Sequence, residues 1–199
     1  MPDSTGSQTA GLRDLITECG AVLHGHFKLA SGRHSDTYIE KFRILEQPDV
    51  LEEMCRPIAD HFRDKSPDLI AGPSTGGILV AYEVARQLGK RAVYVESEGN
   101  RRVLKRNTVV PPKARVLLVD DVLTTGISLK EVTEVIAHEG AELVGIGVLI
   151  DRSDVNLDLP LEPFASCRFQ AVSYAEDEMP EALRNTPMTT PGTRAAHGS

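Results

Sequence analysis

Apolar residues change their period several times along the chain, and each change marks an element. Leu12, Leu15, Ile16 and Cys19 are spaced three, one and three, the face of a first helix, with Gly20 as its stop. Phe27 and Leu29 then alternate with polar residues, Ser31-Gly32 turns the chain, and Tyr38-Ile39 resumes an extended course, so a hairpin is expected. Residues 48–65 carry a helical face of Leu51, Met54, Cys55, Ile58, Ala59 and Phe62, with Asp49 placed to cap it. Residues 68–71 read as a short buried strand. A Gly-Pro-Ser-Thr-Gly-Gly turn at 72–77 leads into a helix through Ile78, Leu79, Tyr82, Val84, Ala85 and Leu88, closed by Gly89. Residues 91–96 predict another strand, followed by a turn at Gly99-Asn100. The run Val-Leu-Leu-Val at 116–119 is too short for a helix and does not alternate, which fits a strand buried on both faces. Leu129, Val132, Val135 and Ile136 predict a helix ended by Gly140, and residues 143–150 a last buried strand. Extended stretches are expected around 164–174 and a short helix at 178–183. Residues 1–8 are expected to be flexible, and 186–199, rich in Thr, Pro and Gly, to be disordered.

From residue 68 to residue 150 strands and helices alternate. That order predicts an α/β fold, a doubly wound and mostly parallel sheet with helices on both faces. A chain of 199 residues fits one domain, here 9–185. A net charge of −7 argues against general nucleic-acid binding, which needs a basic face, but permits a local phosphate site. Three widely spaced cysteines, Cys19, Cys55 and Cys167, read as reduced thiols of a cytoplasmic protein. The polar N-terminus has no signal-peptide core, and no apolar run approaches a membrane span.

Candidate chemistry concentrates where the 116–119 run ends. Asp120 and Asp121 stand at the carboxyl end of that strand, the edge at which open α/β sheets bind ligands. Thr124, Thr125, Gly126 and Ser128 follow at a helix N-terminus, where amides and hydroxyls make an anion site. Carboxylates for sugar hydroxyls and an amide-lined bend for a phosphate suit a ribose 5-phosphate. The strand, glycine-rich turn and helix at 68–88 offer a second set of amides to an anion, or simply a tight turn that needs small residues. Arg101, Arg102, Lys105 and Arg106 crowd after the Gly99-Asn100 turn, either as a cationic arm or as a solvated basic edge. Arg152 follows the last buried strand and can grip a carboxylate at two points. His24 and His26 lack an evident third metal ligand and are expected to be solvated loop histidines.

The stretch 116–128 resembles the phosphoribosyl-pyrophosphate motif of the type I phosphoribosyltransferases. Phe27-x-Leu29-x-Ser31-Gly32-x-x-Ser35-x-x-Tyr38 is similar to the N-terminal segment of the orotate phosphoribosyltransferases, which forms a hood over the base. The resemblance runs from about Phe27 to Arg152 and implies a hood built mainly from 21–45 and 153–175. It implies a magnesium-dependent pentosyltransferase that joins orotate to phosphoribosyl pyrophosphate, on the route to UMP in pyrimidine biosynthesis. By this resemblance Asp120, Asp121, Val122, Leu123, Thr124, Thr125, Gly126, Ile127 and Ser128 hold the ribose 5-phosphate. Ser74, Thr75, Gly76 and Gly77, with Arg101, Arg102, Lys105 and Arg106, take the pyrophosphate. Arg102 and Lys105 join the two aspartates as the catalytic groups. Thr124, Arg152, Tyr38, Ile39 and Lys28 meet the orotate. The magnesium draws its ligands from substrate and water rather than directly from the protein, and the assembly is a homodimer.

Two positions depart from the pattern. Ala30 and Gly76 stand where many orotate transferases carry lysine, and Lys28 or Lys41 could substitute. A transferase for another base, such as a purine, and a non-enzymatic sensor of phosphoribosyl pyrophosphate are the alternatives. A neutral purine would not need Arg152, and a regulator acting on nucleic acid would need a basic surface that is missing here.

Overall fold

The computed structural model describes residues 4–29, 31–99, 101–105, 108–153, 157–169 and 172–189. Helix α1 (Ser4–Glu18) leads into a hairpin of β1 (Val22–Lys28) and β2 (His34–Ile39). A single turn, α2 (Phe42–Leu45), precedes α3 (Pro48–Phe62). The alternating section runs β3 (Leu69–Pro73), α4 (Gly76–Leu88), β4 (Arg91–Glu98), β5 (Arg101–Val103), β6 (Arg115–Leu123), α5 (Ile127–His138) and β7 (Glu142–Asp151). The chain closes with β8 (Phe164–Arg168), β9 (Ser173–Tyr174), α6 (Glu181–Arg184) and β10 (Met188–Thr189).

The main sheet has six strands in the order β5-β4-β3-β6-β7-β8. Every neighbouring pair is parallel except β4 and β5, which form an antiparallel hairpin at one edge. Along β6 successive side chains leave opposite faces, so Leu117 and Val119 enter one core while Val116 and Leu118 enter the other. The first core is shared with α1, α3 and α4, and the second with α5, which places helices on both faces as the pattern predicts. A small second sheet, β10-β1-β2-β9, contains the hairpin of the segment expected to form the hood, and is called the hood below.

Several boundaries differ from the sequence expectations. Helix α1 begins at Ser4, inside the stretch expected to be flexible. Helix α3 has Pro48 at its start and Gln47 as its cap, so Asp49 sits in the first turn, where its charge still favours the helix dipole. Strand β8 joins the main sheet beside β7 instead of the hood. The hood takes a strand from the segment expected to be disordered: Met188 and Thr189 pair with His26 and Phe27 of β1. The remainder of that expectation, 190–199, lies outside the described residues. His26 is buried rather than solvated, with its Nε2 2.7 Å from His34 Nδ1 and its Nδ1 3.0 Å from the Thr186 carbonyl. That contact ties the last described segment to the hood; His24 is exposed, as expected.

Two glycines let α3 lie flat on β7. A Cβ at Gly145 would fall 2.2 Å from the Phe62 ring, and one at Gly147 would fall 2.6 Å from Ile58 Cγ2. Gly145→Ala should therefore force the helix off the strand and cost about 1–3 kcal/mol. Thermal melting should show it as a clear drop in Tm; an unchanged Tm would mean that the ring simply turns aside.

Candidate active site

The carboxyl ends of β3, β6 and β7 lie side by side, and the residues singled out above gather there. Asp120 and Asp121 are the sixth and seventh residues of β6, and only 9% and 4% of their surfaces are exposed. Each carboxylate accepts the next backbone amide. Asp121 N–H donates to Asp120 Oδ1 at 2.8 Å, and Val122 N–H donates to Asp121 Oδ1 at 2.6 Å. Asp121 Oδ2 has the Lys41 ammonium 2.8 Å away, but no hydrogen-bond donor is aligned on it.

The glycine-rich turn packs directly against this acidic pair. A Cβ at Gly76 would fall 1.6 Å from Asp121 Oδ2, and one at Gly77 would fall 2.6 Å from Pro73 Cδ and 3.0 Å from Asp120 Oδ1. The turn is glycine because the carboxylates occupy the space a side chain would need. Gly76 and Gly77 also open α4, so its first amides lie beside the acids. Ser74 is half-buried and Thr75 exposed at this lip.

Beyond β6 the chain bends through Thr124 and Thr125, both exposed, to Gly126 at φ +77°, where a residue without Cβ is favoured. No side chain caps α5 there, so its first amides are open to an anion. Ser128 is half-buried beside them and Ile127 is exposed. Leu123 is different: its side chain is buried in the core against α5, which leaves only its backbone for a ligand.

Arg102 spans the two loops. Its Nε donates to Glu131 Oε2 at 3.0 Å, its Nη1 to the Ser74 carbonyl at 3.3 Å, and its Nη2 to Ser128 Oγ at 3.2 Å. Arg101 and Lys105, by contrast, both turn back to Glu98, at 3.1 and 3.4 Å. Arg106 lies outside the described residues. Glu131 carried no signal in the sequence; its place one turn past Ser128 on α5 is what brings it to Arg102.

At the end of β7 the Arg152 amide donates to the Leu123 carbonyl at 2.8 Å. Its guanidinium lies 5.9 Å from the Tyr38 ring centroid, and its Nε is buried with no partner among the described residues. Neighbouring Asp151 is engaged elsewhere, accepting from Ser153 and pairing with Arg168. Among the described residues Arg152 forms no ion pair. Burial lowers its pKa, against the pull of Tyr38. The Tyr38 ring lies tilted against that of Phe27 within the hood, with centroids 5.6 Å apart. Two candidates for the base are not brought to this point. Ile39 points into the main core, and Lys28 pairs with His34 while Tyr38 pairs with Leu23, at opposite ends of the hairpin.

Burial, and then the adjacent Asp121 charge, push Asp120 up to about 7. The Asp121 amide, Lys41 and Arg102 pull the other way. A carboxyl raised in the folded state contributes stability that is present below about pH 4 and is lost as the pH rises towards 7. Asp120→Asn should then stabilise the free protein at pH 8 by roughly 2 kcal/mol, or roughly 4–8 °C in Tm, with the gain shrinking towards pH 4. Calorimetry at the two pH values checks this; a lower Tm at pH 8 would contradict the electrostatic reading.

Comparison with known proteins agrees with this geometry. The profile of the phosphoribosyl transferase domain family matches residues 43–158. The orotate phosphoribosyltransferase of Chlorobium phaeobacteroides is 39% identical over 92% of this chain and 94% of its own. That of Caldanaerobacter subterraneus is 42% identical over 91% of this chain and 95% of its own. The crystal structure of orotate phosphoribosyltransferase from Aeropyrum pernix superposes with a TM-score of 0.69 at 28% identity, covering 79% of this chain and 93% of that one. The family match, the similarity over most of the chain and the shared fold place the chain in the phosphoribosyltransferase family, on its orotate phosphoribosyltransferase branch.

Proposed function

We propose that the chain transfers the 5-phosphoribosyl group from phosphoribosyl pyrophosphate to orotate, giving orotidine 5′-phosphate and pyrophosphate. The observation that carries the choice of base is Arg152: half-buried, its Nε buried and without a partner among the described residues, beside Tyr38 at the edge that also holds the two aspartates. A planar acidic base supplies the carboxylate such a group lacks; a neutral purine does not. Gly76 does not weaken this reading, because the Asp121 carboxylate sits where any side chain at that position would begin.

The reaction breaks the bond from ribose C1′ to pyrophosphate and forms one to a base nitrogen. It needs alignment and charge stabilisation more than a protein nucleophile. Thr124, Thr125, Gly126 and Ser128 hold the 5-phosphate on the open amides of α5. Asp120 and Asp121 accept the ribose hydroxyls and face the positive charge that develops on the sugar. The 74–77 turn and Arg102 receive the departing pyrophosphate, with Arg102 held in place by Glu131. Arg152 and the Tyr38 ring fix the base, with Thr124 beside it.

No cluster of three or more metal-ligating side chains is present among the described residues, while the two carboxylates of the acidic pair can accept hydrogen bonds from magnesium-bound water. A magnesium ion supplied with the sugar diphosphate would keep its ligands from substrate and water beside Asp120 and Asp121, and would neutralise the leaving group. Phe42, Leu79 and Tyr82 are exposed, on α2 and on α4 against which α2 packs; this apolar face is where a homodimer would close. No helix among the described residues is long and apolar enough to cross a membrane, and Cys19, Cys55 and Cys167 are free thiols, which suits the cytoplasm.

The test is consumption of orotate with phosphoribosyl pyrophosphate and magnesium, run beside hypoxanthine, xanthine and uracil. Turnover of orotate alone is expected. Turnover of a purine without orotate would reject the assignment.

A further inference from the structure

Beyond the residues assigned above, and resting on the proposed sugar-diphosphate site, we propose that Lys41 is a positioning residue: delivered from the hood, it pairs with the Asp121 carboxylate and keeps it aimed at the ribose. Lys41 follows β2 and immediately precedes α2, at the junction between the hood and the main domain. Its ammonium reaches Asp121 Oδ2 at 2.8 Å, although 39% of its side chain is exposed against 5% for its partner.

The asymmetry of the carboxylate makes this contact matter. Asp121 Oδ1 is already satisfied by the Val122 amide. Oδ2 lies over the bare α-carbon of Gly76 with no aligned hydrogen-bond donor. The turn thus presents no side chain of its own at that place, and the cation comes from the hood instead. Exposed ion pairs of this length are worth little. Here one partner is buried beside a second carboxylate, and removing the cation leaves two adjacent acids sharing one low-dielectric site. The charged groups facing Asp120 are Asp121 from its own strand, Lys41 from the hood junction and Arg102 from the β4–β5 hairpin. Of the two cations, Arg102 is committed to Glu131 at 3.0 Å, whereas Lys41 is committed to the acidic pair. Its long, half-exposed stem also allows it to follow the hood without losing Asp121.

Lys41→Met keeps the stem and removes the charge; Lys41→Arg keeps the charge. Binding of phosphoribosyl pyrophosphate with magnesium, followed by calorimetry from pH 6 to 9, reads the site without reference to the base. Lys41→Met should weaken binding about tenfold at pH 7 and move the acidic limb of the binding profile up by about one pH unit. Binding should recover towards pH 9, and Lys41→Arg should restore most of it at pH 7. A wild-type profile in Lys41→Met, an equal loss at every pH, or no rescue by arginine would overturn the proposal. Wild-type turnover of orotate is scored separately, so a wrong base would leave this result standing.

Discussion

Asp121→Asn should fold as the parent does and lose two to three orders of magnitude in kcat. Asparagine has the same shape and keeps an oxygen for the Val122 amide, so the local backbone is undisturbed. What disappears is the negative charge that the proposed mechanism sets against the sugar as its bond to pyrophosphate breaks. Removing one preorganised charge or dipole from a water-excluded site costs about 10²–10³ in rate. The loss should fall mainly on kcat, because the charge matters most when the ribose carbon is most positive. The substitution also strands the Lys41 ammonium, so a modest weakening of sugar-diphosphate binding should accompany it. Steady-state kinetics with a circular dichroism control reads both effects. A folded variant with full kcat would remove Asp121 from the chemistry.

Arg152→Ala should raise the KM for orotate by about a hundredfold while leaving that for phosphoribosyl pyrophosphate within a few-fold. A charge-assisted contact to a carboxylate is worth about 1.5–3 kcal/mol, and tenfold in binding is about 1.4 kcal/mol. Its Nε is buried and unsatisfied, so among the described residues orotate has no competing acid to displace: Asp151 is already held by Ser153 and Arg168. Lysine should rescue poorly, since a point charge cannot reproduce the planar fork over Tyr38. An equal rise in both KM values would show that Arg152 supports the site as a whole instead of the base.

Much of this site is legible in the chain because its parts are local. The apolar run, the two aspartates and the threonine-glycine bend are contiguous, and a buried parallel strand followed by a helix leaves them one arrangement at the sheet edge. The same holds for the 72–77 turn, whose missing side chains record the close approach of Asp120 and Asp121. What stays hidden depends on contacts between distant segments. Nothing in the pattern around Arg101, Arg102 and Lys105 says which cation enters the site; Glu131 draws in Arg102 while Glu98 holds the other two outside. Lys41 could be named as a substitute lysine, but its partner is eighty positions away. The hood is the least legible part. Strand β10 is only two residues long, too short for any period, and it forms because His26 and the Thr186 carbonyl bring the chain alongside β1. For the same reason the sequence suggests solvent around a histidine that the fold buries, and it assigns β8 to the hood although β7 recruits it into the main sheet.

The most direct measurement is a crystal structure with orotidine 5′-phosphate bound. The account predicts its phosphate on the amides from Thr124 to Ser128, its ribose hydroxyls on Asp120 and Asp121, and its base carboxylate on Arg152. A phosphate seated elsewhere, with the start of α5 left to solvent and the two aspartates turned away from the sugar, would contradict it.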